Sequence, residues 1–238
     1  LWTPVLWIAK TVAQVEHGNP AARAGCIPPL TTAVLWTAAL AGAAALACAY
    51  RAARRAASPE AAAAATALVG IGGSLAAYAS VWPSMTHAYV AAADAWLLLA
   101  SLRVHEAPRA WSRWRAAAAA LALAVLLRPT EILLALPLVA VGAATFRREP
   151  GRLVGAAAHL AIAVLLGLLP GLLLHRAMYG SALASPQGPF YLQPLRAHPW
   201  LLLFAPHGGL LYTTPTAWLA FIGAVVAWRR RVLAGPLL

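Results

Sequence analysis

Arg128 and Glu131 stand three residues apart in an Arg-Pro-Thr-Glu turn that joins two apolar runs, 116–127 and 132–146. The first run has 12 residues and as a helix reaches only about 18 Å. A bilayer core of roughly 30 Å is deeper than that. Unless this helix takes residues from the loop before it, the guanidinium and the carboxylate lie below the outer interface. Non-helical backbone is tolerated at such depth where it lines protein or a water-filled cavity. Charges inside a membrane are costly unless paired, so the pair is either a ligand site or an Arg–Glu clamp on the turn.

A second group surrounds His87. In Val81-Trp-Pro-Ser-Met-Thr-His87-Ala-Tyr89, Pro83 ends one helix and Ser84 is placed to cap the next. His87 and Tyr89 then fall in the first turn of that next helix, facing outwards or into a cavity. An imidazole there accepts a hydrogen bond from a sugar hydroxyl or, as a cation, meets a phosphate. The alternative is a helix-start histidine at headgroup level. Asp94, the chain's only aspartate, follows two helical turns after His87 on the same face. Deep in a membrane it needs a buried arginine or polar backbone as partner.

The third group is a mixed, proline-rich stretch, 175–208, with Tyr179-Gly-Ser181 at its start and Pro206-His207-Gly-Gly209 at its end. Aromatics beside amides and hydroxyls suit carbohydrate, although membrane-interface belts use the same residues. Tyr179 and His207 are its candidate ligand-binding residues. Gly208 and Gly209 permit close approach of a ligand. Gly70, Gly72 and Gly73 fall within a span and read as helix packing, and Gly167 with Gly171 forms a GxxxG-type contact face. Cys26 and Cys48 lie far apart towards opposite sides of one predicted span, so a bridge between them is not expected and neither has metal-ligand spacing. No Walker, HExxH or CxxC pattern occurs.

The elements that carry these groups are membrane helices. Hydrophobic residues make up 62% of the chain and charged residues 10%, against about a quarter charged in a soluble domain. The 18 basic residues outnumber 6 acidic ones. They flank apolar runs and do not alternate with aromatics on a soluble face, so nucleic acid is excluded as a partner and the lipid bilayer is the expected one. Predicted spans cover 1–15, 30–50, 60–81, 85–102, the short pair 116–127 and 132–146, 153–174 and 209–228. Ser58-Pro-Glu60 marks one helix start. Alternate connections hold Arg51, Arg54, Arg55; Arg103, Arg109, Arg113, Arg115; Arg147, Arg148, Arg152; and Arg229, Arg230, Arg231, which is 13 of the 18 basic residues. The positive-inside rule puts that set in the cytoplasm and the Arg128, His87, Tyr179 and His207 groups on the other side. The expected fold is an all-α polytopic transmembrane helix bundle of about eight membrane segments, including one short helix pair. It is read as a single transmembrane domain over 1–238 with both ends cut from a longer protein.

Taken in order, Pro83-Ser-Met-Thr-His87, the helix pair around Leu127-Arg-Pro-Thr130, Tyr179-Gly-Ser181 and Phe204-Ala-Pro-His-Gly-Gly-Leu-Leu211 resemble the GT-C superfamily of membrane glycosyltransferases. The chain is most similar to the bacterial branch of protein mannosyltransferases and the lipid A aminoarabinose transferase. The resemblance implies transfer of a sugar from a polyprenyl-phosphate donor to a cell-envelope glycan, lipid or protein, at the extracytoplasmic face of a bacterial inner membrane, often with a divalent metal. It implies that Arg128 contacts a lipid phosphate and that His87, Tyr179 and His207 line the sugar or acceptor pocket. The acidic catalytic residue of the family lies in the loop after the first membrane helix. Glu16 lacks the surrounding pattern, so that residue is expected before Leu1 and no catalytic residue is assigned here. A transporter or flippase of a lipid-linked or polar solute is the alternative, since broken helices and an intramembrane Arg–Glu pair serve transport as well.

Overall fold

The computed structural model describes residues 28–73, 75–80, 86–183, 199–204 and 216–229. They form α1 (Pro28–Ala53), α2 (Pro59–Gly72), α3 (Leu75–Ser80), α4 (His87–Glu106), α5 (Trp111–Leu127), a 3-10 helix (Pro129–Leu134), α6 (Ala135–Phe146), α7 (Pro150–Tyr179), α8 (Pro199–Phe204) and α9 (Thr216–Arg229). Among the described residues there is no strand, and the chain is an all-α membrane helix bundle. Three segments among the described residues are long and apolar enough to cross a bilayer: Thr32–Ala53, Pro129–Phe146 and Pro150–Tyr179. The apolar segment 1–15, Ser84 and His207 lie outside the described residues.

Local chemistry sets the helix ends. Ser58 caps α2, its Oγ accepting from the Ala61 N–H at 3.3 Å, with Pro59 in the first turn. The glycines near the end of that helix are less uniform than a single packing run. Gly70 is buried against Leu46, whereas α2 stops at Gly72. The expected span 60–81 is therefore two helices, α2 and α3. At the far end of α7, Gly180 adopts φ 74° and its N–H bonds to the Arg176 carbonyl, a left-handed cap that glycine adopts without strain.

The core lies among α4, α5, α6 and α7. Trp114 and Phe146 are fully buried there, and the Trp114 indole N–H donates to the Pro108 carbonyl at 2.7 Å. Trp111 stacks on His159, centroids 5.4 Å apart. Small residues allow this density. A Cβ on Gly155 would meet Trp111 at 2.9 Å, and one on Gly167 would meet the Ala122 carbonyl at 2.7 Å and Val125 at 2.8 Å. Among the described residues nothing lies near a Cβ on Gly171, so there only half of the expected GxxxG face makes contact. On α7 the buried stripe is Ala156, Leu160, Ala163 and Gly167. Ile162, Leu166, Leu169 and Leu173 repeat the same spacing on the exposed face. Small residues inward and large apolar residues outward is the pattern that lipid favours, because packing, not exclusion of water, holds such helices together.

The short helix pair is longer than expected. α5 takes Trp111 to Arg115 from the preceding loop and reaches about 25 Å over its 17 residues. The second arm gains length from its 3-10 turn, which rises about 2 Å per residue, so Pro129–Phe146 reaches about 30 Å.

Candidate functional site

One end of the bundle is tied by ion pairs. Glu106 at the end of α4 bonds Arg55 beyond α1 and Arg113 at the start of α5, and Glu149 before α7 bonds Arg109 at 2.7 Å and Arg152 at 3.1 Å. Three of the four arginine groups of the 13-residue set thus meet at this end. Because successive helices run antiparallel, the start of α4 and the ends of α5 and α7 lie at the opposite end.

The charged centre of that opposite end is the turn after α5. Arg128 precedes Pro129, which disfavours helical backbone, and it adopts φ −151° and ψ 106°. Helix α5 therefore stops, and the 3-10 helix brings Glu131 back towards Arg128. Arg128 Nε lies 3.9 Å from Glu131 Oε1, with the guanidinium side chain 57% exposed and the carboxylate side chain 17%. Asp94, midway along α4, lies within electrostatic reach of both. Its Oδ1 is buried and has no hydrogen-bond partner among the described residues. Two carboxylates and one guanidinium, drawn from three elements, thus share this place. Arg128 is the arginine in the electrostatic field of Asp94, without a direct ion pair between them, a proximity that no spacing along the chain reveals.

A second layer stands further out. The contacts of Gly155 with Trp111 and of Gly167 with Ala122 and Val125 set α7 parallel to α5, with residue 171 or 172 level with Arg128. Tyr179 is then about 10 Å beyond Arg128 along the axis. His87 is a similar distance, about 10 Å, beyond Asp94 on α4. The turn holding Arg128 is therefore a step, overtopped by the start of α4 and the end of α7. His87 packs against Tyr78 of α3, centroids 4.2 Å apart, and Tyr179 meets His175 edge-on at 5.7 Å.

Tyr89 is tied inward. Its hydroxyl donates to Thr37 Oγ1 at 2.9 Å, and that hydroxyl donates to the Ala33 carbonyl at 2.8 Å, joining α4 to α1. Among the sequence candidates, Arg128 and Glu131 are brought together, while His87 and Tyr179 occupy the outer layer on different helices. His207 lies outside the described residues.

The described residues at this end do not by themselves fit a divalent metal. Hard cations take several oxygen ligands, and among the described residues no three His, Cys, Asp or Glu side chains come together. The Arg128 guanidinium already occupies the field of Asp94 and Glu131.

Against known proteins, the family described as dolichyl-phosphate-mannose-protein mannosyltransferase matches residues 30–175, more than half of the chain. No curated protein and no solved structure matches it. The matched stretch runs from α1 through nearly all of α7 and so includes Thr37, His87, Tyr89, Asp94, Arg128 and Glu131. The chain belongs to the dolichyl-phosphate-mannose-protein mannosyltransferase family of membrane glycosyltransferases.

Proposed function

We propose that the chain forms the donor-binding membrane part of a glycosyltransferase that takes a sugar from a polyprenyl phosphate and passes it to an acceptor at the extracytoplasmic face of a bacterial inner membrane. The family match over residues 30–175 carries this reading and favours it over a transporter or flippase.

The stepped end supports a division of labour. Arg128 projects from the lower layer with more than half of its side chain exposed, and Glu131 engages it through one loose contact. Among the described residues no other side chain takes its remaining N–H groups, and the planar fork of arginine is suited to phosphate oxygens. When the bond between sugar and phosphate breaks, negative charge grows on the departing polyprenyl phosphate. A fixed guanidinium there lowers the barrier because it stabilises that charge as it develops. Asp94 and Glu131 act as positioning residues that hold Arg128 in place. His87 and Tyr179, one layer further out, offer hydrogen bonds and aromatic faces to the sugar or the acceptor. His207 is assigned to the same pocket on sequence grounds. The arginine groups around Arg55, Arg113 and Arg152 at the other end support a cytoplasmic side there.

The test is transfer itself. Membranes carrying the full chain are given polyprenyl-phosphate mannose labelled in the sugar, and label is followed into an acceptor fraction. Transfer above that of membranes lacking the protein is expected. If no polyprenyl-phosphate sugar yields transfer while the protein is inserted, this reading is wrong.

A further inference from the structure

At the arginine-rich end, a recess of about 360 Å³ opens between the segment after α1, the last turns of α4 and the first turns of α5. Arg55, Arg103, Glu106, Ser112 and Arg113 line it, with alanines at its base. Glu106 is the sole carboxylate of this lining and is shared. Arg55 bonds its Oε1, and Arg113 Nη1 lies 3.3 Å from its Oε2. The same Arg113 nitrogen donates to the Arg103 carbonyl at 2.7 Å. The Arg103 guanidinium has no carboxylate partner among the described residues. Three guanidinium charges therefore face one carboxylate, and two positive charges are left without a counter-charge.

We propose that this recess binds the phosphate of an anionic phospholipid headgroup, separately from the family's sugar-transfer site.

Three observations support an anion there. The Arg55 and Arg113 side chains are only 27% and 36% exposed, so water screens them incompletely. Partial burial, and then repulsion from Arg103 and Arg113, lowers the pKa of Arg55, a strain that a bound anion relieves. Ser112 adds a hydroxyl, and α5 begins at Trp111 without a side-chain cap on Ala110, which leaves N–H donors at a positive helix end. The lipid source follows from position. The recess lies where α1, α4 and α5 end together, and basic pockets between membrane helices at that level take phospholipid headgroups.

The test is lipid retention by the full chain, purified in detergent with phosphatidylglycerol and phosphatidylcholine and read by native mass spectrometry. Arg103→Ala leaves both bridges to Glu106 intact, and Arg147→Ala removes an exposed charge outside the recess. Phosphatidylglycerol should be retained in preference to phosphatidylcholine by the unaltered chain and by Arg147→Ala. Retention should fall about fivefold in Arg103→Ala, the worth of one basic residue at an anionic surface. Arg103→Glu should remove the preference, and thermal midpoints in plain detergent show that both Arg103 variants fold. Equal falls in Arg103→Ala and Arg147→Ala, or no fall in Arg103→Ala, overturn the site. Inorganic phosphate supplied without lipid is the second arm. If it raises the midpoint of the unaltered chain but not of Arg103→Ala, and no lipid preference appears, the lipid source is overturned.

Discussion

Arg128 Nε and Glu131 Oε1 lie 3.9 Å apart across the turn that ends α5, and the carboxylate is much the more buried partner, 17% against 57% exposed. This is a single loose contact, not the two-point fork of a tight arginine–carboxylate pair. A clamp whose task was to close the turn would have the opposite character, with both groups engaged. The backbone already turns because Pro129 follows Arg128, and the Glu131 N–H bonds to the Arg128 carbonyl at 2.9 Å. The side chain of Arg128 is therefore available to a ligand.

Replacing Arg128 separates the two roles. Arg128→Ala should lower sugar transfer by about 100-fold or more, the usual worth of a group that stabilises charge in the transition state. Arg128→Lys keeps the charge but loses the fork and should recover only part of the activity. Both variants should insert in the membrane in normal amounts. Initial rates over a range of donor concentrations, normalised to protein in the membrane, measure this. Unchanged turnover in Arg128→Ala removes the assignment.

Asp94→Asn tests whether α4 holds that guanidinium. It removes one of two carboxylates in the field of Arg128 while keeping size and shape. The donor KM should rise several-fold, with a smaller change in kcat, as expected when a group positions the binding arginine without meeting the reacting atoms. A variant that merely loosens the fold would lower the amount of inserted protein and leave KM alone.

The contrast between two glycines tests the packing that sets the step. At Gly167 a Cβ would press on the Ala122 carbonyl at 2.7 Å, and backbone cannot swing aside. Gly167→Ala should cost about 1–3 kcal/mol, the range for overpacking a close contact. Gly171→Ala, in the same helix, meets nothing among the described residues and should be neutral or slightly stabilising, since alanine favours helix more than glycine does. Thermal midpoints of purified protein in detergent compare them. Equal effects would mean that α5 and α7 do not meet as described.

The membrane class, the gathering of three of the basic groups at one end and the Arg128–Glu131 turn were legible in the chain because each follows from local composition. Ser58-Pro-Glu60 carried its cap in three residues, and α2 starts there. The length of α5 was not legible. Trp111 to Arg115 look like loop because of their arginines, yet Trp111 and Trp114 are helical and Trp114 is fully buried. Side chains of arginine reach the membrane surface while their backbone stays helical. Asp94 was conspicuous in the sequence, but its neighbours Arg128 and Glu131 come from elements more than thirty residues away, and only the packing of α4 on α5 and α6 brings them together. Gly167 and Gly171 share one spacing motif, and only the crossing of α5 decides which of them is in contact.

Tyr89 and Thr37 join α4 to α1 through a hydroxyl pair, so Tyr89→Phe should reduce stability whatever its part in binding. Hydrogen bonds between membrane helices are worth on the order of 1 kcal/mol. A double-mutant cycle with Thr37→Val should return a coupling of about that size. Zero coupling would mean that the two hydroxyls do not bond. A loss of donor binding in Tyr89→Phe beyond the stability change would add a contact to the ligand.

Glu149 sets a pH limit at the arginine-rich end. The hydrogen bond from Arg109 is the largest effect and holds its carboxyl below the ordinary glutamate range; desolvation opposes it, and the charges of Arg109 and Arg152 lower the value further. A carboxyl whose folded value is depressed contributes stability above its unfolded value, about pH 4.3. That contribution fades as pH falls through the lower, folded value. Glu149→Gln should therefore have a lower thermal midpoint than the unaltered protein at neutral pH, and the gap should close on acidification below about pH 4. Added salt should narrow the gap at neutral pH, because the pairs are solvent-accessible and screened. Midpoints of both proteins across the acid range, at low and high salt, measure it. A gap that persists undiminished in acid would show that Glu149 acts through something other than its charge.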